Sequence, residues 1–436
     1  MAGLFQVFFW LSRDNLVTLN ENSFEKIESL SYSPFEGYDK NLLSSEQIAY
    51  DVNLFENFTN KLRTYGTLEA YKILQSSKDS NLPIDLGLWI GGDLEANNLE
   101  IQRALEILKE YPNRIQSVIV GNEVLLRKEL EPLELYAYID FMKSHTKKPV
   151  TTAETWDIWE KNPQLASHVD FLTIHILPYW EKVPIERYNE FIIEKYSVVE
   201  ELFPNRKIVI GETGWPSHGY NNNSAIPSIK NQAQAIRGFV NLAHEKGWHY
   251  NIIEALDQPW KGYDEGNVGQ YWGIFTTDRA LKFQLAGEVE LNKYWLYQMI
   301  AAIIIGALLT LFGLKNQRVN ISHAFAYAIA AQGMAFGIVM AAIYPFVNYM
   351  NFGMWIMWGM GSFLMIPLVI ITLAKANELF RSSIGVQPSR LVPLDLKSKN
   401  APLVSIHVPA YKEQPHVLAE TLESLSKLTY PNYEVL

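Results

Sequence analysis

Three stretches of about twenty residues, 294–314, the core of 323–349, and 353–374, carry almost no charge. A hydrocarbon layer roughly 30 Å thick takes about 20 apolar residues per helix. A buried helix of a soluble protein would explain one such stretch, but three in series predict membrane spans and the lipid bilayer as a partner. Lys293, Tyr294, Trp295 and Tyr297 stand at the mouth of the first, where interfacial anchors belong. The first connection carries Lys315 and Arg318, and the second, around 348–352, carries no basic residue. Lys375, Arg381, Arg390, Lys397 and Lys399 follow the third stretch. The positive-inside rule therefore predicts a cytoplasmic C-terminal part and an extracytoplasmic segment 1–290. Export needs a signal, yet residues 1–12 (MAGLFQVFFWLS) are too short to span and lack a basic leading segment. They read as a weak signal, the remnant of an anchor helix or the first part of the N-terminal domain, and the chain is expected to be incomplete at its start.

The length of 436 residues predicts about three units. With 37 Lys plus Arg against 47 Asp plus Glu, the net charge is -10, and no basic run appears, which excludes a nucleic-acid partner. The absence of Cys removes thiol nucleophiles and Cys-based metal sites. Aromatic residues reach 13%. Flat rings at loop positions suit sugars, and packing is the plain alternative.

Before residue 294, strand-like runs at 29–33, 61–65, 84–90, 116–121, 149–152, 169–176, 207–211 and 250–254 alternate with helical stretches at 45–62, 98–111, 132–144 and 228–246. Eight βα units within 1–290 predict a (β/α)8 TIM barrel, with a doubly wound sheet as the alternative. The polar residues favour the barrel, because they gather at strand C-terminal ends: Arg63, Tyr65, Trp89, Asn122, Glu123, Glu154, His175, Glu212 and Glu254. Glu123 and Glu212 each follow an apolar run and a Gly, at the ends of the fourth and seventh strands. Glycosidic cleavage needs one protonated carboxyl and one ionised carboxylate across the bond, and this pair satisfies it. Arg63 and Tyr65 would lie beside Glu212, to keep it ionised and oriented or merely to form a structural ion pair. Asn122 can reach a sugar 2-OH. Trp89, Tyr179, Trp180, Trp215 and Trp260 are candidate stacking platforms, and His175 on its own reads equally as a core histidine.

The segments SYSPF (31–35), LRTYG (62–66), VGNEVL (120–125), TTAETWDIW (151–159), HILPYWE (175–181), GETGWPS (211–217), EALDQPWKG (254–262) and WGIF (272–275) resemble glycoside hydrolase family 17, the β-1,3-glucanases and β-1,3-glucan transglycosylases. The resemblance implies that Glu123 is the acid/base and Glu212 the nucleophile of a retaining reaction on a β-glucan. It implies no cofactor or metal for the barrel, and it places His175 in the pocket. Glu254, Lys261 and Glu265 resemble charged residues near the reducing side of the cleft. Gln258 departs from the Glu that relatives often carry there. A plain endo-β-1,3-glucanase and a non-catalytic glucan-binding module are the competing readings.

After a linker (375–401), PLVSIHVPAYKE (402–413) followed by a helical run and a second strand is the opening of a nucleotide-binding α/β domain. It resembles glycosyltransferase family 2, of GT-A-like fold, with Lys412 where Asn is common. Residues 402–436 are too few to fold or catalyse alone. The order barrel, membrane helices, transferase resembles bacterial membrane-bound β-glucan synthases. By that resemblance the chain sits in the inner membrane with a periplasmic barrel. The completed transferase would use UDP-glucose and a divalent cation.

Overall fold

A computed structural model describes residues 2–13, 16–19, 26–315, 317–384 and 402–436. Eight parallel strands close a barrel: β1 (Leu30–Ser31), β2 (Leu62–Arg63), β3 (Ile84–Leu88), β4 (Ile115–Asn122), β5 (Val150–Thr155), β6 (Leu172–His175), β7 (Ile208–Thr213) and β8 (His249–Ile252). The ring closes where Ile252 of β8 pairs with Leu30 of β1. Both faces of each strand are covered, which is why runs such as Ile84, Leu86 and Leu88 are apolar and fully buried. This is the barrel expected from the sequence, and the doubly wound sheet is excluded.

The outer helices start where side-chain caps satisfy their first N–H groups. Asp93 caps Leu94–Glu110, and Ser228 caps Ile229–Lys246, which ends at Gly247 in the left-handed conformation (φ 67°). The helix expected over 45–62 spans only Ser45–Phe55, because Leu62 and Arg63 are needed in β2. The count of eight βα units needs correction among the described residues. After β5 the chain makes only a short helix, Trp156–Lys161, and a 3-10 turn, Pro163–Ser167. After β8 the chain instead makes the 3-10 turns Pro259–Gly262 and Asn267–Tyr271. Buried Leu256, Val268, Trp272 and Phe275 give this irregular segment the apolar surface that a helix would otherwise supply.

Helices Trp295–Leu314, Ile321–Val347 and Phe352–Ser383 are long and apolar enough to cross a membrane. Leu311, Phe312, Met357, Phe363 and Ile370 are among the large apolar side chains they leave exposed, as a lipid-facing surface would. The third runs past residue 374 because helix formers and a Lys375–Glu378 ion pair carry it on to Ser383. The rest of the expected linker, 385–401, lies outside the described residues, as do Arg390, Lys397 and Lys399. The segment Ala2–Ser12 is a helix seated on the first two long helices rather than on the barrel. Its Trp10 is buried with Ala302 and Val339, and Gln6 Nε2 donates to Gln332 O at 2.6 Å. The barrel touches the connection between the second and third long helices, where the Tyr220 and Tyr349 rings lie 6.2 Å apart. In the C-terminal segment, Val404–Ile406 and Tyr433–Val435 pair in parallel around the helix Pro415–Ser426, a βαβ unit.

Candidate active site

The chain leaves β4 through Gly121 (φ 83°) and Glu123 (φ 54°). A Cβ at Gly121 would stand 2.5 Å from Val124 Cγ2, so only glycine makes this turn. Glu123 itself is held in the left-handed region, a strained placement that the surroundings must enforce. Its N–H donates to Ala153 O at 2.7 Å, and Glu154 of β5 accepts from Leu125 N (2.8 Å) and Leu126 N (3.3 Å). Burial pushes the Glu154 carboxyl up to about 7, although both backbone donors pull it down. Glu212, two residues past the apolar run 208–210 of β7, is 4% exposed and lines the barrel mouth.

His175 stands between the two carboxylates. Its Nδ1 is 3.0 Å from Glu123 Oε1 and its Nε2 is 3.7 Å from Glu212 Oε1. Arg63 lies beneath, 2% exposed: Nη1 donates to Glu212 Oε1 at 3.1 Å and Nη2 donates to Asn122 Oδ1 at 2.6 Å. One guanidinium thus orients the carboxylate of β7 and the amide of β4 together. Tyr65 donates its hydroxyl to Ser31 Oγ at 3.0 Å; burial, then the charge of Glu212, raises its pKa well above the ordinary value. Burial also pushes Glu123 up, but its hydrogen bond to His175 and the charges of His175, Arg127 and Arg63 outweigh this and leave it below the usual carboxylate range. Facing oxygens of Glu123 and Glu212 lie within 4.8 Å.

Two lobes of one cleft meet at Glu123, Glu212, Ile253 and Glu265. The first, about 480 Å³, is lined also by Tyr65, Trp89, Asn122, Trp260 and Lys261. The second, about 730 Å³, is lined also by His175 and Trp180. Burial pushes Glu265 up to about 7, opposed by the charge of Lys261. Four expected residues do not face the cleft. Arg63 acts from behind it, and buried Glu254 pairs with Lys261 at 2.9 Å. Tyr179 and Trp215 are corrected from stacking platforms to core: both are 0% exposed. Tyr179 donates its hydroxyl to Tyr220 O at 2.6 Å, and Trp215 donates Nε1 to Ile226 O at 3.0 Å, with their rings edge to face. Sequence reasoning missed Phe35, Lys40, Glu69 and Arg127 in the first lobe, and Trp156, Asp157 and Trp272 in the second. Phe35, Trp156, Asp157 and Trp272 stood inside the family-like segments, which was the available signal; Lys40, Glu69 and Arg127 offered none.

Glu123, His175 and Glu212 are close enough to share a metal ion. The Arg63 guanidinium, 3.1 Å from Glu212 and 3.4 Å from His175 Nε2, already places a full positive charge there and repels a cation. The cluster instead suits acid–base and nucleophilic chemistry.

Residues 29–273 match the BtgE/BtgC glycoside hydrolase domain. A glucan 1,3-beta-glucosidase of Schizosaccharomyces pombe is 27% identical over 255 residues, 54% of this chain and 79% of the relative. A probable family 17 glucosidase of Saccharomyces cerevisiae is 25% identical over 260 residues, 58% of this chain and 66% of the relative, just under two thirds of its length. Crystal structures of a family 17 β-1,3-glucanosyltransferase from Rhizomucor miehei, one an active-site mutant in complex with laminaritriose, superpose with TM-score 0.54 at 25% identity, covering 59% of this chain and 95% of theirs.

Proposed function

The chain belongs to the BtgE/BtgC glycoside hydrolase family, and from this we propose that its barrel is a retaining β-1,3-glucan glucanosyltransferase and hydrolase. The observation that carries this reading is the approach of Glu123 and Glu212 oxygens to within 4.8 Å. Retaining enzymes hold their carboxyls about 5–5.5 Å apart, whereas inverting ones leave about 6.5–9.5 Å for a water.

Glu123 gives its proton to the glycosidic oxygen as the C1–O bond breaks, and Glu212 forms a bond to C1. A sugar hydroxyl or water then attacks C1, passing its proton to Glu123 and releasing Glu212. Two inversions give net retention. Arg63 aims Glu212 by donating Nη1 to its Oε1. Asn122, with its oxygen taken by Arg63, can offer its amide nitrogen to the sugar 2-OH. A bound sugar displaces the water that still reaches the Glu123 side chain (23% exposed), adding to the burial that favours its acid form.

The remainder of the chain supports a membrane setting. The basic first connection and the uncharged second one favour a periplasmic barrel on a multi-pass inner-membrane protein. The βαβ unit at 402–436 favours the start of a cytoplasmic family 2 glycosyltransferase domain that takes UDP-glucose and a divalent cation. The barrel would then remodel the glucan that such a domain makes. The test is incubation of the protein with laminari-oligosaccharides. Products longer than the donor support transfer, only shorter ones reduce the barrel to an endoglucanase, and no turnover leaves a binding module.

A further inference from the structure

Trp260 sits in the 3-10 turn Pro259–Gly262 and lines the first lobe, as do Ser33 and Phe35 from the segment after β1. Between them lies Gln258, 1% exposed. Its Oε1 accepts from Trp260 Nε1 at 2.6 Å, and its Nε2 donates to Ser33 O at 3.0 Å. An indole N–H only donates and a main-chain carbonyl only accepts, so these two partners fix which way the amide faces. The Phe35 ring meets Trp260 edge-on at 6.3 Å, and Lys40 Nζ lies 4.2 Å from the Trp260 ring.

We infer that Gln258 is a positioning residue for glucan binding: its buried amide ties Trp260 to the Ser33 carbonyl and so fixes one wall of the first lobe. The inference deepens the β-glucan reading and rests on it. A Glu would not make the same pair of bonds. A carboxylate could accept from the indole, but its second oxygen would face the Ser33 carbonyl with no proton to share. It would also add a negative charge next to buried Asp257, whose carboxylate is already paired with Lys282 at 2.6 Å.

The experiment uses the full chain and the variants Gln258→Leu, Gln258→Glu and Trp260→Ala. Gln258→Leu should raise KM for laminari-oligosaccharides about two- to tenfold, the range for one aromatic contact, with kcat within about twofold. In a Trp260→Ala background the same change should add nothing, because Gln258 acts through the ring. Independently of any substrate, oxidation of Trp260 by N-bromosuccinimide, read by peptide mass spectrometry, should quicken in Gln258→Leu. Gln258→Glu, which keeps the indole acceptor, carries the same tests if the Leu variant does not fold, and its KM should lie between those of the unaltered protein and Gln258→Leu. Additive effects in the Trp260→Ala background, or unchanged oxidation of Trp260, overturn the inference. If the unaltered protein turns over no β-1,3-glucan, the glucan reading fails, while the oxidation comparison still decides whether Gln258 holds Trp260.

Discussion

At the scale of single residues, the site divides its work by environment. Glu212 is buried against Arg63, while Glu123 keeps some contact with solvent and with His175. The two roles therefore fail differently. Glu212→Ala should drop turnover below detection, and azide should restore cleavage with inverted products, since a small anion fits where the carboxylate attacked. Azide products of retained β configuration would remove Glu212 from the nucleophile role. Glu123→Gln should lower turnover about 10²–10⁴-fold on substrates with poor leaving groups and far less on activated aryl glucosides, which need no proton. An equal loss on both substrate types would count against the acid assignment. The residues that carry charge and a reaction were legible in the sequence because strand ends advertise them. Tyr179 and Trp215 were not, because an aromatic ring at a strand end looks the same whether it meets a sugar or its neighbours. Burial separates the cases: Tyr179 and Trp215 are wholly buried, whereas Trp180, which also meets Tyr179 edge to face, lines the second lobe.

At the scale of elements, neighbouring strands are locked by close backbone approach. A Cβ on Gly211 would lie 2.4 Å from Thr173 Cγ2 of β6 and 3.1 Å from the His175 ring. Gly211→Ala should therefore push β7 from β6, cost about 1–3 kcal/mol and lower the Tm, with activity falling as His175 shifts. Thr173→Ser removes the Cγ2 and should recover part of both losses; no recovery would place the strain elsewhere. Glu154, which holds the loop after Glu123, gives a pH signature. Its folded pKa is raised from 4.5 to about 7, so its contribution to stability is full below 4.5 and is lost as pH rises through about 7. Glu154→Gln, which cannot ionise, should flatten the dependence of Tm on pH across that window, and an unchanged profile would reject the buried acid. Strand order and barrel closure were readable because eight apolar runs repeat with helical stretches between them. The segment after β8 was not, since its buried Leu256, Val268 and Phe275 follow no period, and Phe275 takes its place from a bridge to Leu256 and from the rings of Phe55 and Phe58, distant in sequence.

At the scale of the whole molecule, the three long helices alternate direction, so the barrel and the 348–351 connection share one side. The Tyr220–Tyr349 contact agrees with that arrangement. Which side it is depends on charge. Lys315 and Arg318 flank the first connection, and only short loops near span ends enter the rule, so the acidic barrel does not weaken it. Chemistry points the same way under the synthase reading, because nucleotide sugar is made in the cytoplasm and the remodelled polymer leaves it. A reporter active only outside the cytoplasm should therefore work when fused after Asn348 and stay silent after Lys315 or after Leu436. Activity after Lys315 with silence after Asn348 would invert the protein. The barrel would then sit in the compartment of the sugar donor and the synthase reading would fall. The pairing of Glu123 with Glu212 would stand, since the distance between their oxygens owes nothing to the membrane.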